Sequence, residues 1–407
     1  MDSLTQIVLG AGVGEIVLGK KLGNRAFLWG GIAGTIPDLD IIGNLFMTEL
    51  EALVFHRGVS HSFFFAITFS FLIAFVVHRL YASGLYQKKK FRAIIASITA
   101  LLLVTVFFAI VSFFNTALGW TGALIGIAFA GLFILPMRKI WTYYNADRLT
   151  DIKLSYREWY WFFFWTIITH PILDSFTAYG TQLFAPFSDY RVAFNNISVA
   201  DPAYTLPFLI CLIIASKMAM KNNQRRFYTW LGIGISSSYM LFTIYNKFQV
   251  DRVMAQTLKK EGIEYTRFTA NPSILNNFLW SGVAESGDTY YQGTYSLFDK
   301  ENSFKLKAIP KNAHLIEHDL DDPTIDRLRW FSKNYYGFLM REDGRVQFND
   351  LRYGKINANS NSEKDYIFRF IIEKIDGNWK LVKSLAGPST EDRKDIMANL
   401  WDRMKGV

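Results

Sequence analysis

Residues 56–80 read HRGVSHSFFFAITFSFLIAFVVHRL, and the decisive part is the opening His56-Arg57-Gly58-Val59-Ser60-His61-Ser62. Two imidazoles five residues apart, with a guanidinium beside the first, stand at the mouth of a long apolar run. Burying such groups costs several kcal/mol or more unless they are paired or bound to a metal. Two other polar clusters can supply partners: Pro37-Asp38-Leu39-Asp40 upstream and His170-Pro171-Ile172-Leu173-Asp174 downstream. Whether the three clusters meet depends on how the chain is threaded.

The run at 62–80 is apolar enough to span a bilayer and ends in His78-Arg79. Further runs lie at 93–114, 117–136, 159–178, 204–216 and 228–246, the fourth opening on Trp159, Tyr160 and Trp161 as a headgroup interface favours. Upstream, 7–19 and 26–37 are apolar but short. Their glycines permit close helix–helix approach, so either a packed hairpin or a re-entrant pair fits. Gly14–Lys20 comes near a phosphate loop, but Lys21 stands where Ser or Thr is required, so that reading is rejected. Residues 1–6 lack a basic region, and no cleavable leader is expected.

Charge orients the threading. The segments 20–25, 81–92, 137–158 and 217–226 hold sixteen Lys and Arg, against two, Arg57 and Arg191, in 38–61, 113–116 and 171–202. The first set is expected to be cytoplasmic, and the second outward with the N-terminus and everything after 246. The surplus of basic residues (net charge +9) is thereby explained by orientation, and no nucleic-acid partner is expected. Cys211 is the single cysteine, which excludes an intramolecular disulfide.

On this threading Asp38/Asp40, His56/His61 and His170/Asp174 all fall at the outward face, although the charge rule takes no account of them. A hydrolytic divalent site needs imidazoles and carboxylates converging around a position for water. His170 and Asp174, four apart, share a helix face. Asp38 and Asp40 share a face only if extended, so one of them ligating while the other orients a histidine or takes a proton is the favoured arrangement. His56 and His61 both reach one site only if Gly58 lets the chain turn. Arg57 can hold an anionic oxygen.

From about residue 250 the composition changes to short aromatic runs punctuated by Asn271-Pro272, Ser286-Gly287-Asp288 and Asp376-Gly377-Asn378. Helices are expected at 323–335 and 389–404 and a hairpin at 366–384. The fold class expected is therefore a multi-span α-helical membrane domain, residues 1–249, carrying the metal site, followed by a soluble α+β domain, 250–407, outside the cytoplasm. His314-x-x-Glu317-His318 matches an inverted zincin pattern but is bracketed by Pro310 and Pro323, which favour a short exposed segment over the helix that motif needs. His78 reads as a snorkelling helix end.

The order Gly34-x-x-Pro37-Asp38-x-Asp40, His56-Arg57-Gly58-x-x-His61-Ser62, His170-x-x-x-Asp174-x-x-Thr177-x-x-Gly180 and Pro186-Phe187 resembles the YdjM-like, LexA-regulated membrane-bound metal-dependent hydrolases over residues 1–250. The resemblance implies a bacterial inner-membrane protein holding a metal through Asp38, Asp40, His56, His61, His170 and Asp174. More distantly, the His/Asp ligand types and the H-x-x-x-D spacing are similar to zinc-dependent phospholipase C and the S1/P1 nucleases. That implies zinc and a phosphoester or lipid head-group substrate at the bilayer, with Asp40 and Arg57 in catalytic roles. One departure is Gln6, where many members have histidine; an amide is the poorer metal ligand. The alternative is a non-catalytic membrane protein whose polar clusters form a structural network and whose C-terminal domain binds a partner.

Overall fold

The computed structural model describes residues 1–146, 149–317, 319–355, 366–386 and 400–406. They form two compact units, Phe71–Tyr160 in one and Met1–Ser70 with Trp161–Val407 in the other.

In the larger unit, α1 (Ser3–Leu22) and α2 (Asn24–Thr35) form a hairpin that turns at Gly23, whose φ of 57° favours glycine. The expected close approach is present. A Cβ on Gly10 would lie 2.3 Å from the Gly30 carbonyl oxygen, and one on Gly34 would lie 2.5 Å from that of Gln6. Backbone therefore meets backbone, which side chains would prevent. Pro37 then breaks the α-helical ladder and the chain tightens into a 3-10 segment, Pro37–Leu45. A short α3 (Glu49–Phe55) follows, started by a reciprocal Thr48–Glu51 capping box. A second 3-10 turn, Val59–His61, leads into α4 (Phe63–Ala82).

Among the described residues α4 is the one helix long and apolar enough to cross a membrane. Among the described residues, length and composition thus bear out one of the several expected spans. Helices α2 and α7 (Pro202–Ser216) are short, and α6 (Tyr156–Asp174) and α8 (Asn223–Lys260) mix apolar with polar residues. In the smaller unit, α5 is helical throughout Lys89–Asn145. A straight helix of that length would hold its ends about 85 Å apart. Yet Arg92 Nη1 donates to the Tyr143 carbonyl at 3.3 Å, and the Lys89 ammonium lies 5.5 Å from the Tyr144 ring centre. The segment therefore doubles back on itself, as the two separate runs at 93–114 and 117–136 imply.

Helix α8 runs unbroken through residue 250. Its far end presents Val250, Val253, Met254 and Leu258 to Ala270, Trp280, Ala284 and Tyr295 of the first C-terminal sheet. That sheet is antiparallel in the order β1 (Arg267–Pro272), β2 (Leu279–Ser286), β3 (Thr289–Ser296), β4 (Lys305–Pro310). After α9 (Pro323–Phe331) comes a second antiparallel sheet: β5 (Tyr336–Met340), β6 (Val346–Lys355), β7 (Tyr366–Ile375) and β8 (Asn378–Ala386). The expected 366–384 hairpin is present. It turns on Asp376 and Gly377, both at positive φ (52° and 80°), the conformation that matches strand twist. The expected helix at 389–404 falls largely outside the described residues; 400–404 are helical.

Ile325, Leu328 and Phe331 of α9 pack on Phe338, Phe348, Phe370 and Ile372 of the second sheet. Each such side chain contributes about 1.5–3 kcal/mol by burial. Leu50 and Leu53 of α3 and Tyr179 join the same core. The C-terminal sheets therefore support the helix that leads into His56 and Arg57.

Candidate metal centre

The 3-10 winding of Pro37–Leu45 sends the two acids to different partners. Asp38 Oδ1 lies 3.5 Å from His61 Nε2 and 3.4 Å from His170 Nε2. Asp40 turns instead to the segment after α3. Its Oδ2 accepts from the Arg57 amide at 2.9 Å and from Ser60 Oγ at 3.2 Å, and its Oδ1 faces His56 Nδ1 at 3.0 Å. Arg57 adopts a left-handed backbone (φ 59°), strained for a non-glycine residue and held there by that amide bond. Gly58 follows with no room for a side chain, since a Cβ would lie 2.8 Å from the Phe55 carbonyl oxygen. The resulting turn carries His61 inward. On α6, His170 and Asp174 project together one turn apart, with Nε2 and Oδ2 separated by 3.4 Å.

Four ligand atoms, from Asp38, His61, His170 and Asp174, thus lie within 4.8 Å of one another and can hold a metal ion. The protonation pattern supports this. His170 Nδ1 faces the Gly34 carbonyl oxygen at 2.6 Å, and His61 Nδ1 faces Asp40 Oδ2 at 3.3 Å and Ser60 Oγ at 3.0 Å. The Ser60 hydroxyl donates to Asp40, so it accepts from His61. Both Nδ1 atoms are therefore turned to acceptors, which leaves each Nε2 as the ring atom available to a metal ion. Those two Nε2 atoms are 3.0 Å apart, and His61 Nε2 is 3.4 Å from Asp174 Oδ2. Asp174 Oδ2 is buried without a hydrogen-bond partner. Two Nε2 atoms and two carboxylate oxygens crowded this closely, one of them without a hydrogen-bond partner, form a donor set that a cation would satisfy.

Burial alone raises the Asp38 carboxyl pKa, but bonds from His170 and His61 outweigh it and hold the group below the ordinary carboxylate range. Asp40 is held down against burial in the same way by His56 and His61. Both are ionised at neutral pH.

His56 does not join the four, contrary to the ligand set expected from the sequence. It caps the end of α3 and spends its Nδ1 on Asp40. Asp40 stands behind His61 as its orienting acceptor. Arg57 is buried: Nη1 donates to Thr177 Oγ1 at 2.9 Å, and Nε lies 3.3 Å from Asp174 Oδ2. The Arg57 guanidinium is therefore committed to the site's own residues. Gln6 sits beside Asp174 and donates to its Oδ1 at 3.0 Å, next to the amino group of Met1.

Sequence reasoning missed a connection from behind. The Tyr179 ring lies between the Arg57 guanidinium (4.7 Å) and that of Arg191 (4.6 Å). Arg191 and Arg352 both donate to the Phe331 carbonyl oxygen, at 3.1 and 2.9 Å, at the C-terminal end of α9 where cations are favoured. Arg352 also reaches the Ala178 carbonyl at 3.1 Å and pairs with Asp350. No local motif announces such contacts; the lone Arg191 in a segment poor in Lys and Arg is the nearest signal. His314 lies in a 3-10 turn, Ala313–Ile316, rather than an α-helix, and His318 lies outside the described residues.

The profile of the YdjM inner membrane protein family matches residues 1–250, a stretch containing all four ligand residues. The chain belongs to the YdjM inner membrane protein family. Neither a curated protein nor a solved structure matches it. For this YdjM-family chain, the matched span ends inside α8, and the two C-terminal sheets lie beyond it.

Proposed function

We propose that this YdjM-family protein is a multi-pass inner-membrane hydrolase that uses zinc to cleave phosphoesters at the outward membrane face. The observation that carries the reading is the spacing of the four ligand atoms. Five of their separations lie between 3.0 and 3.5 Å. A tetrahedral zinc site with bonds of roughly 2.0–2.1 Å has ligand–ligand edges of about 3.3–3.4 Å. A bound zinc ion lowers the pKa of water and polarises a phosphoryl oxygen.

The side chains of His61, His170 and Asp174 are fully enclosed, whereas that of Asp38 is 24% exposed. For catalysis Asp38, the one partly exposed ligand, would have to yield its place in the tetrahedron to water or substrate. Asp38 Oδ2, buried without a hydrogen-bond partner, is the carboxylate oxygen left to accept a proton from a water admitted to the metal. His56, 38% exposed and held at Nδ1 by Asp40, can pass a proton through Nε2 to a leaving oxygen. Arg57 balances the charge of Asp174.

Multiple passes are supported by the path itself. His61 precedes α4 and His170 closes α6, yet the two touch, so the chain between them crosses the bilayer an even number of times. In that reading α4, the two limbs of the folded-back α5, and α6 make four. The sparse Lys and Arg of 38–61 and 171–202 favour the outward face. A purely structural zinc is the competing reading, favoured by four protein donors filling one tetrahedron.

Zinc-loaded protein in detergent, assayed on bis(p-nitrophenyl) phosphate, p-nitrophenyl phosphate and p-nitrophenyl butyrate, separates the two. The hydrolase reading expects phosphoester turnover that Asp38→Asn abolishes while zinc is retained. No turnover of any ester by the zinc-loaded wild type would leave the structural reading.

A further inference from the structure

Among the described residues, the Asp38 side of the metal centre is bordered by apolar side chains left exposed. Asp38 and Asp40 point inward from the Pro37–Leu45 segment, while Leu39, Ile42, Leu45 and Phe46 on the same stretch are exposed, Phe46 at 84%. Residues 41–48 carry no charge at all. Gly43 brings this stretch against α3: a Cβ there would lie 3.2 Å from the Phe55 ring and 3.3 Å from Met47 Sδ. On the other flank, the chain after Thr181 runs beside the turn that holds His61. Gln182 donates its amide proton to the Arg57 carbonyl at 3.1 Å, and the Phe63 amide donates to the Leu183 carbonyl at 3.0 Å.

That second flank continues the spanning helix. Phe184 packs edge-on against Phe63, and Phe187, 82% exposed, packs edge-on against Phe64 at 5.9 Å. Phe63 and Phe64 open α4, and Phe64 is itself exposed like the rest of that helix's apolar surface. The lipid-facing side of the span therefore extends past its end, onto the loop that flanks the site. Water would leave this surface unfavourably solvated, whereas an acyl layer continuous with the one around α4 removes the cost.

Resting on the zinc-hydrolase reading, we infer that the Leu39–Phe46 stretch and Phe184/Phe187 are seated in the outward leaflet, and that the centre takes a membrane amphiphile with an anionic phosphoester head. The head meets the metal past Asp38, and the hydrocarbon stays in the leaflet along the Leu45–Phe46 side. A water-soluble phosphoester would gain nothing from that border.

Two measurements test this separately. In a Cys211→Ala background, which removes the single cysteine, spin labels are placed at Phe46→Cys, Phe187→Cys and, as an aqueous control, Asp343→Cys on an exposed turn of the second sheet. In phosphatidylcholine/phosphatidylglycerol nanodiscs, positions 46 and 187 are expected to collide with oxygen in preference to a water-soluble nickel chelate, and 343 the reverse. Preference for nickel at 46 and 187 overturns the embedding, and exclusion of both reagents overturns it in favour of a protein partner. For the ligand, cobalt replaces zinc and its visible spectrum is titrated with hexadecyl phosphate or inorganic phosphate. Hexadecyl phosphate is expected to perturb it at a concentration lower by at least about tenfold. Phe46→Glu is expected to remove that advantage while keeping the phosphate response. Equal responses in the wild type overturn the amphiphile. Failure to bind cobalt sinks the zinc reading, and the amphiphile with it, whichever way the labels read.

Discussion

Asp40→Asn probes the orientation of His61 without touching a ligand atom. The wild-type carboxylate is enclosed and receives four donors: the Arg57 amide (2.9 Å), His56 Nδ1 (3.0 Å), Ser60 Oγ (3.2 Å) and His61 Nδ1 (3.3 Å). Asparagine turns one of its two acceptor atoms into a donor. If the amide nitrogen took the Oδ2 place, it would oppose three of those donors, so it takes the Oδ1 place and opposes only His56. The His56 ring is 38% exposed and can turn away at small cost. His61 then keeps an acceptor at Nδ1 but loses the negative charge behind it. Removing an orienting partner of a metal-bound histidine costs about 10–100-fold in affinity. The preserved acceptor places Asp40→Asn near tenfold, or about 1.4 kcal/mol. Asp40→Ala leaves the Arg57 amide unpaired and His61 Nδ1 with only the Ser60 hydroxyl, and should approach 100-fold, about 2.7 kcal/mol. Zinc affinity is read by competition with a chromogenic chelator in detergent, with His56→Ala expected close to wild type. If Asp40→Asn and Asp40→Ala both bound zinc as the wild type does, His61 would not be a ligand oriented through Nδ1.

Other consequences concern the scaffold. Gly34→Ala would set a methyl 2.5 Å from the Gln6 carbonyl oxygen, where only backbone can yield, costing about 1–3 kcal/mol. Because the Gly34 carbonyl holds His170 Nδ1, zinc affinity should fall together with melting temperature, whereas Gly234→Ala, in open space, should lower neither. Glu15→Gln leaves the buried Arg225 guanidinium, paired through two 2.7 Å bonds, without its counter-charge. The expected loss is about 3–5 kcal/mol, read as a lower melting temperature; an unchanged one would refute it. Burial, with Arg352 and Arg191 nearby, holds the Lys333 ammonium down to about 7 from 10.5. A lowered amine pKa means the unfolded chain binds more protons between about pH 7 and 10.5, so stability rises across that window and the penalty is complete below it. Lys333→Met should therefore raise the melting temperature at pH 6.5 by more than at pH 10, and an equal gain at both would contradict the assignment.

Much of the site was legible because its chemistry is carried by residue types that are costly to bury. Asp38, His61, His170 and Asp174 each stand out at the edge of an apolar run, and the basic residues of alternate segments led to the expectation that they share one face; the structure brings the four together. Choosing between the two histidines of the HRGVSHS stretch was not possible from spacing. The choice depends on the left-handed turn at Arg57, which a guanidinium residue adopts only because Asp40 holds its amide. The backbone acceptor that fixes His170 was likewise invisible, since a carbonyl has no sequence signature. Gly34 reads only as a small residue for close packing, and its carbonyl is brought to His170 by the α1–α2 apposition. In the C-terminal half, strands and turns followed from aromatic runs between Gly, Asn and Asp. The link through Tyr179, Arg191 and the α9 carbonyls depends on contacts between segments some 140 residues apart (Arg191 to Phe331), beyond any local pattern.

The central claim is that two imidazoles and two carboxylates from three separate segments surround one cation. Zinc K-edge X-ray absorption on the purified protein in detergent addresses it directly. The expected result is one zinc per chain, with four nitrogen or oxygen neighbours at about 2.0 Å and the outer-shell scattering of two imidazoles, one of which His61→Ala removes. Negligible zinc in the wild type, or an imidazole count unchanged by both His61→Ala and His170→Ala, would contradict it.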